Sequence, residues 1–304
     1  MSKARIAVIG AGLMGHGIAQ VFAVAGHEVT VSDTVMKNLD TLAARIAANL
    51  RDLDEDEGAV ARVRPCVDLG EAVRDADYVV EAVFEDLALK QKLFTEIEAH
   101  VRADTILASN TSVIPITSIM GGLKRRERAL GTHWWNPPFL VPLVEVIETQ
   151  WTSPAAVAWT MDLYRAAGKQ PAHVKKDVPG FIGNRLQHAL WREAIALVEQ
   201  GICDAETVDA VIKASFGRRL AVLGPLENAD LVGTGLVLAV HDVVLPAIDS
   251  RPSASPYLQK LVAEGKLGFK SSEGFRKWTP EQQATLRARL VAHLKASRDR
   301  ETAR

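Results

Sequence analysis

The chain opens on Arg5-Ile-Ala-Val-Ile-Gly10-Ala-Gly12-Leu13-Met14-Gly15, and an acidic residue, Asp33, stands 21 positions after Gly12. No other stretch restricts the fold so tightly. The apolar run from Ile6 to Ile9 suits a strand buried in a parallel sheet. Gly10 then allows a tight turn, Gly12 lets a pyrophosphate approach the backbone, and Gly15 lets the following helix pack on the sheet. That helix, expected over residues 14–25 and stopped by Gly26, points its free N–H groups and positive end at the phosphates. Residues 29–32 supply a second strand that ends at Asp33, placed to meet a ribose. A glycine pattern alone is weak evidence. Strand, glycines, helix, stop, strand and acid in register are strong evidence for a dinucleotide site.

The alternation continues to about residue 175. Strands are expected at 78–83, 105–108, 128–132 and 143–147, with helices at 87–101 and 154–167. Strands separated by helices of this length imply a doubly wound, mostly parallel sheet of Rossmann type. After Lys175-Lys-Asp177-Val-Pro179-Gly180 the character changes. A long amphipathic segment, residues 181–200, precedes a helix capped by Asp204 and further helical stretches punctuated by Pro225, Pro246, Pro252 and Pro256. The expected organisation is therefore a dinucleotide-binding domain at 1–177 and an all-α domain at 178–304. Apolar helical faces at 205–212 and 231–244 exceed what so small a domain can bury, which implies a homodimer. The polar tail beyond Lys295 is expected to fray.

At 304 residues two domains are natural, and a net charge of −1 gives no electrostatic case for nucleic acid or a membrane surface. Cys66 and Cys203 stand alone, without the spacing of a zinc site or a disulfide framework, and read as packed thiols in a reducing compartment. No metal is expected. No apolar run reaches the roughly 18 residues of a spanning helix, and the first residues already form a strand, so the cytoplasm is the default.

A second constellation lies at Gly131-Thr-His133-Trp-Trp-Asn136-Pro-Pro, followed by Leu143-Val-Glu145-Val. A carboxylate inside an apolar strand is costly unless it meets a partner. A turn between the two strands could bring Glu145 back onto the imidazole of His133, fixing its tautomer and strengthening it as a general base. Alone, that pairing competes with a structural histidine and a solvent-facing carboxylate.

These motifs, with Ser109-Asn110-Thr-Ser112, Pro179-Gly-Phe-Ile-Gly-Asn184-Arg-Leu and Gly265-Lys-Leu-Gly268-Phe, resemble the L-3-hydroxyacyl-CoA dehydrogenase family. The resemblance covers almost the whole chain, in order, including the His-to-Glu separation of 12. It implies NAD-dependent oxidation of an L-3-hydroxyacyl substrate to the 3-keto product. His133 would take the hydroxyl proton, Glu145 would orient it, and Ser112 and Asn184 would hydrogen-bond around the reacting oxygen. Gly10, Gly12, Leu13, Met14, Gly15, Asp33, Glu85, Lys90, Asn110 and Asn136 would contact the cofactor. By residue type alone, Ser112 could be a cap, Asn184 a solvent-facing amide, and Glu85 with Lys90 a surface pair. Trp134, Trp135 and Trp191 are read as core.

The chain departs from that family where relatives meet coenzyme A. Residues 37–64 look short, and residues 52–57 carry five acids in six positions, which would repel phosphates. The turn before Leu143 is Phe139-Leu-Val-Pro142, where acyl-CoA members usually place a lysine. In its Pro-Leu-Val-Glu and Asn-Arg-Leu-Gln phrasing the chain is similar to the branch of L-gulonate 3-dehydrogenase and lens lambda-crystallin. A free 3-hydroxy acid is therefore the competing substrate, with Arg185, Arg192, Arg218 and Arg219 as candidate carboxylate anchors. The crystallin likeness keeps a non-catalytic NAD-binding protein open. NAD is expected over NADP, since Asp33 opposes a 2′-phosphate and no arginine follows in Thr34-Val-Met.

Overall fold

A computed structural model describes residues 3–302. The fingerprint folds as its spacing requires: β1 (Arg5–Ile9), α1 (Leu13–Val24) and β2 (Glu28–Ser32). There follow α2 (Met36–Asp40), α3 (Leu42–Asp52), a 3-10 turn (Glu57–Arg62), β3 (Val63–Cys66), α4 (Leu69–Val73) and β4 (Tyr78–Glu81). Next come α5 (Leu87–His100), β5 (Ile106–Ser109), α6 (Ile116–Met120), β6 (Ala129–Trp134), β7 (Leu143–Ile147), α7 (Pro154–Ala166) and β8 (Gln170–Val174). The eight strands lie in the order β3-β2-β1-β4-β5-β6-β7-β8, parallel throughout except where β6 meets β7. Strand order reverses between β1 and β4, which opens a crevice at the carboxyl ends of the parallel strands.

Alternation along β1 feeds two cores. Ile6 and Val8 face one side with Phe22, Tyr78, Trp134 and Tyr164; Ala7 and Ile9 face the other with Phe94 and Ile97. Phe22 is wholly buried among four aromatic rings, a placement worth about 1.5–3 kcal/mol. Two strands had no signature in the sequence. Both are edges, and each contains a proline, Pro65 in β3 and Pro171 in β8, which an edge strand tolerates.

By compactness, the described residues up to Arg185 and from Val291 onward form one unit, and Leu186–Leu290 form a second. The second unit holds most of α8 (Gly183–Glu199), then α9 (Ala205–Ala214), α10 (Pro225–Val232), α11 (Thr234–Val244) and α12 (Pro256–Ala263). Asp204 caps α9 by accepting from the Thr207 amide at 2.7 Å. Arg251 ties Asp249 to Glu199. The motif around Gly268 forms two short bridges, Gly268 to Glu273 and Glu273 to Lys277.

The expectation of a fraying tail is corrected: α13 (Pro280–Thr302) is helical well past Lys295. Its last turns are anchored in the first unit, where Lys295 donates to the Asp52 carbonyl and Arg298 pairs with Glu55 at 2.8 Å. Residues 52–57 are therefore not a bare acidic turn, since Glu57 also pairs with Arg51 at 2.6 Å. Among the described residues, no helix is long and apolar enough to cross a membrane.

Candidate active site

His133 is the penultimate residue of β6, and antiparallel pairing sets it directly opposite Glu145 of β7. His133 Nδ1 donates to Glu145 Oε2 at 2.7 Å, with both side chains almost completely buried. The other carboxylate oxygen, Oε1, accepts the amides of Ile182 and Gly183 at 2.8 and 3.0 Å, at the start of α8. Burial works to raise the Glu145 pKa, but the imidazole and the two amides outweigh it and hold the carboxyl below its usual range. Its contribution to stability is thus complete above the ordinary carboxylate range and is lost as pH falls through the lowered folded value. With Nδ1 committed, Nε2 is left as the basic nitrogen of the neutral ring. Trp135 and Phe181 flank that ring at 5.3 and 5.7 Å between centroids. Phe181 takes φ 51°, a conformation costly for a large side chain, which turns the Ile182 and Gly183 amides toward Glu145.

The loop that ends β5 lies beside this pair and is held from beneath by buried charge. Glu81, at the end of β4, accepts from Lys90 Nζ at 2.6 Å, Ser109 Oγ at 2.6 Å and the Val83 amide at 2.7 Å. Lys90 also lies 3.4 Å from Glu85, whose other oxygen accepts Thr111 Oγ1 and the amides of Ser112 and Val113. Lys90 and Glu85 are therefore not a surface pair: Lys90 is buried and Glu85 half-exposed. Asn110 Oδ1 accepts from the Trp134 amide at 2.9 Å, tying this loop to β6. Asn184, the second residue of α8, donates to the Ser112 carbonyl at 2.9 Å. His133, Glu145, Ser112 and Asn184 thus occupy one corner of the first unit.

At two of the three glycines, Gly10 and Gly15, the backbone itself leaves no place for a side chain. A Cβ on Gly15 would lie 1.7 Å from the Gly10 carbonyl oxygen, and Gly10 itself adopts φ +101°. A Cβ on Gly12 would meet nothing within 4 Å, so the backbone there faces open space suited to a pyrophosphate. Asp33 takes three donors, the amides of Ala11 and Val35 and the Asn38 side chain, at 2.7 to 3.0 Å. A carboxylate offers about four acceptor positions, which leaves capacity for a ribose hydroxyl. The residues present fit a dinucleotide. Leu13 and Met14 open α1, and Asn136 is exposed just beyond β6.

Several contributors were invisible in the sequence. Glu81 looked like one more residue of an apolar strand. The amides of Ile182 and Gly183 carry no side-chain signal. Lys169 reaches back to the carbonyls of Pro138 and Val141 and holds the turn between β6 and β7, and burial brings its ammonium down to about 8. No arginine follows Asp33 in Thr34-Val-Met, but α3 brings Arg45, 12 positions on, within electrostatic reach of it, its hydrogen bonds going to the Ala11 and Asn38 carbonyls. Trp191 is also corrected, being 48% exposed, whereas Trp134 is core. Arg185 is exposed one residue from Asn184; Arg192, Arg218 and Arg219 belong to the second unit.

Residues 5–178 match the family model described as 3-hydroxyacyl-CoA dehydrogenase, NAD binding domain, and residues 180–278 match that of its C-terminal domain. The chain belongs to the 3-hydroxyacyl-CoA dehydrogenase family. As a member it is an NAD-dependent oxidoreductase. It is 37% identical to the 5-formyl-3-hydroxy-2-methylpyridine 4-carboxylate 5-dehydrogenase of Mesorhizobium japonicum, over 96% of each chain. It is 38% identical to human mitochondrial hydroxyacyl-coenzyme A dehydrogenase over 90% of each, and 40% identical to the L-carnitine dehydrogenase of Streptomyces griseus over 75% of this chain and 70% of that one. A crystal structure of a 5-formyl-3-hydroxy-2-methylpyridine 4-carboxylic acid 5-dehydrogenase, described as an NAD+ dependent dismutase, superposes with TM-score 0.90 at 35% identity over 97% of each chain. M. tuberculosis FadB2 superposes with TM-score 0.76 at 34% identity, covering 92% of this chain and all of that one. In this member of the 3-hydroxyacyl-CoA dehydrogenase family, α13 lies beyond the stretch matched by the family models.

Proposed function

We propose that this chain oxidises the secondary alcohol of a small 3-hydroxy acid that carries no coenzyme A, with His133 as general base. What supports the base is the buried 2.7 Å contact from His133 to Glu145 at the carboxyl edge of the sheet that also carries the glycine loop. NAD, when bound, supplies the hydride acceptor. His133 Nε2 takes the hydroxyl proton, while Glu145 holds the ring in the right tautomer and offsets the imidazolium charge that forms. Ser112 and Asn184 would orient the reacting oxygen and stabilise charge on the developing carbonyl. The Glu81–Lys90–Glu85 cluster keeps the Ser112 loop in place.

The substrate reading rests on two observations. The structural match at TM-score 0.90 is to an enzyme named for a pyridine carboxylic acid, and the turn at 52–57 is both acidic and engaged by α13. The expected result is that 3-hydroxybutyrate, or another free 3-hydroxy acid, is turned over, and that adding coenzyme A to the same chain gives little gain in kcat/KM. The family models favour the competing reading. A thioester preferred by several orders of magnitude would establish it.

We further propose that two copies pair through the second unit. In that unit the buried apolar residues are Ala196 and Leu261 alone among those described, and α9, α10 and α11 bury none. Leu226, Leu231 and Val243 are each more than 70% exposed. So much apolar surface is covered in a stable protein, and a second copy is the partner always at hand. Light scattering at micromolar concentration should give the mass of a dimer; a monomer mass refutes the pairing.

A further inference from the structure

We infer that Arg45 is a positioning residue for the cofactor: by holding the Ala11 and Gly12 carbonyls it leaves the amides of Gly12 and Leu13, trans to them across each peptide plane, free for a pyrophosphate. A loop that binds an anion must present N–H groups, and a free peptide can as easily present its oxygens. Here two successive carbonyls are taken. Arg45 donates to the Ala11 carbonyl at 2.7 Å and to that of Gly12 at 3.4 Å. His16 Nδ1 donates to the same Gly12 oxygen at 2.8 Å.

The guanidinium does more than hold two oxygens. It also donates to the Asn38 carbonyl at 2.8 Å, while the Asn38 side chain and the Ala11 amide both donate to Asp33. The two peptide units that meet at Ala11 are thus both fixed, one through the Ala11 N–H to Asp33 and the next through the Ala11 C=O to Arg45. A closed ring results, running from Asp33 through Ala11 and Arg45 to Asn38 and back. Three acceptors spread around one group need a planar fork, which lysine lacks. The Arg45 charge also offsets that of Asp33, so a carboxylate can stand beside the loop without repelling a pyrophosphate. Both Nη2 protons go to backbone carbonyls, of Ala11 and Asn38, which favours a positioning role over that of a 2′-phosphate anchor and agrees with selection for NAD.

The experiment is titration of NADH and NADPH by their own fluorescence against wild type, Arg45→Met and Arg45→Lys, with thermal melts confirming that each variant is folded. Arg45→Met should weaken NADH by about tenfold or more, the deficit in kcat/KM should fall in the KM for NAD, and Arg45→Lys should recover only a minor part. Should Arg45→Met not fold, Arg45→Lys carries the test. Unchanged NADH affinity in the folded variants overturns the proposal. A loss confined to NADPH overturns it too, since it would make Arg45 a phosphate ligand.

Discussion

Replacing His133 by alanine should lower kcat about a thousandfold while NADH binds with near-normal affinity. The magnitude follows from the 10²–10⁴ that a positioned general base supplies. Affinity should survive because His133 belongs to β6 and its partner Glu145 to β7, whereas the glycine loop and Asp33 belong to β1 and β2. Glu145→Gln should cost on the order of a hundredfold and move the acidic limb of the kcat/KM profile to lower pH, because the imidazolium loses its counter-charge. A His133→Ala enzyme with near wild-type turnover would remove this base from the mechanism.

The second large effect falls on stability rather than rate. Glu81 and Lys90 form an ion pair whose side chains are 0% and 1% exposed. Glu81→Gln leaves the ammonium buried with only Glu85, at 3.4 Å, to answer it. Breaking a buried pair from one side typically costs about 3–5 kcal/mol. Lys90→Met should be milder, since Glu81 would keep the Ser109 hydroxyl and the Val83 amide as donors. Urea unfolding of both variants measures the difference. A Glu81→Gln midpoint indistinguishable from wild type would mean the pair contributes little to the fold.

How far the fold could be read ahead depended on where each residue's partner lies in sequence. Gly10, Gly12, Gly15 and Asp33 act within one strand-helix-strand unit, so their spacing carries the message and the sheet that follows from it. The antiparallel return of β7 is also local, because a short turn sets His133 opposite Glu145. Arg45, Glu81 and Lys169 gave no such signal, since each meets its partners through tertiary packing of separate elements. The edge strands β3 and β8 are short, proline-bearing and half-polar, which is how a loop also reads. The helical tail is hard to read from sequence because its polar composition suggests fraying, yet Lys295 and Arg298 find their partners some 240 positions away at the acidic turn.

Trp135 gives the site a built-in optical reporter. Its indole sits 5.3 Å from the imidazole of His133, close enough for the two rings to interact electronically. Protonating the imidazole places a positive charge beside the indole ring, which changes the field that its emission senses. In a background where the other tryptophans are replaced by phenylalanine, the emission of Trp135 would therefore follow the proton on His133 during a single turnover. Absorbance of the reduced nicotinamide would follow the hydride in the same cuvette. The relative timing of the two transfers, which steady-state rates average away, could then be read directly from two wavelengths.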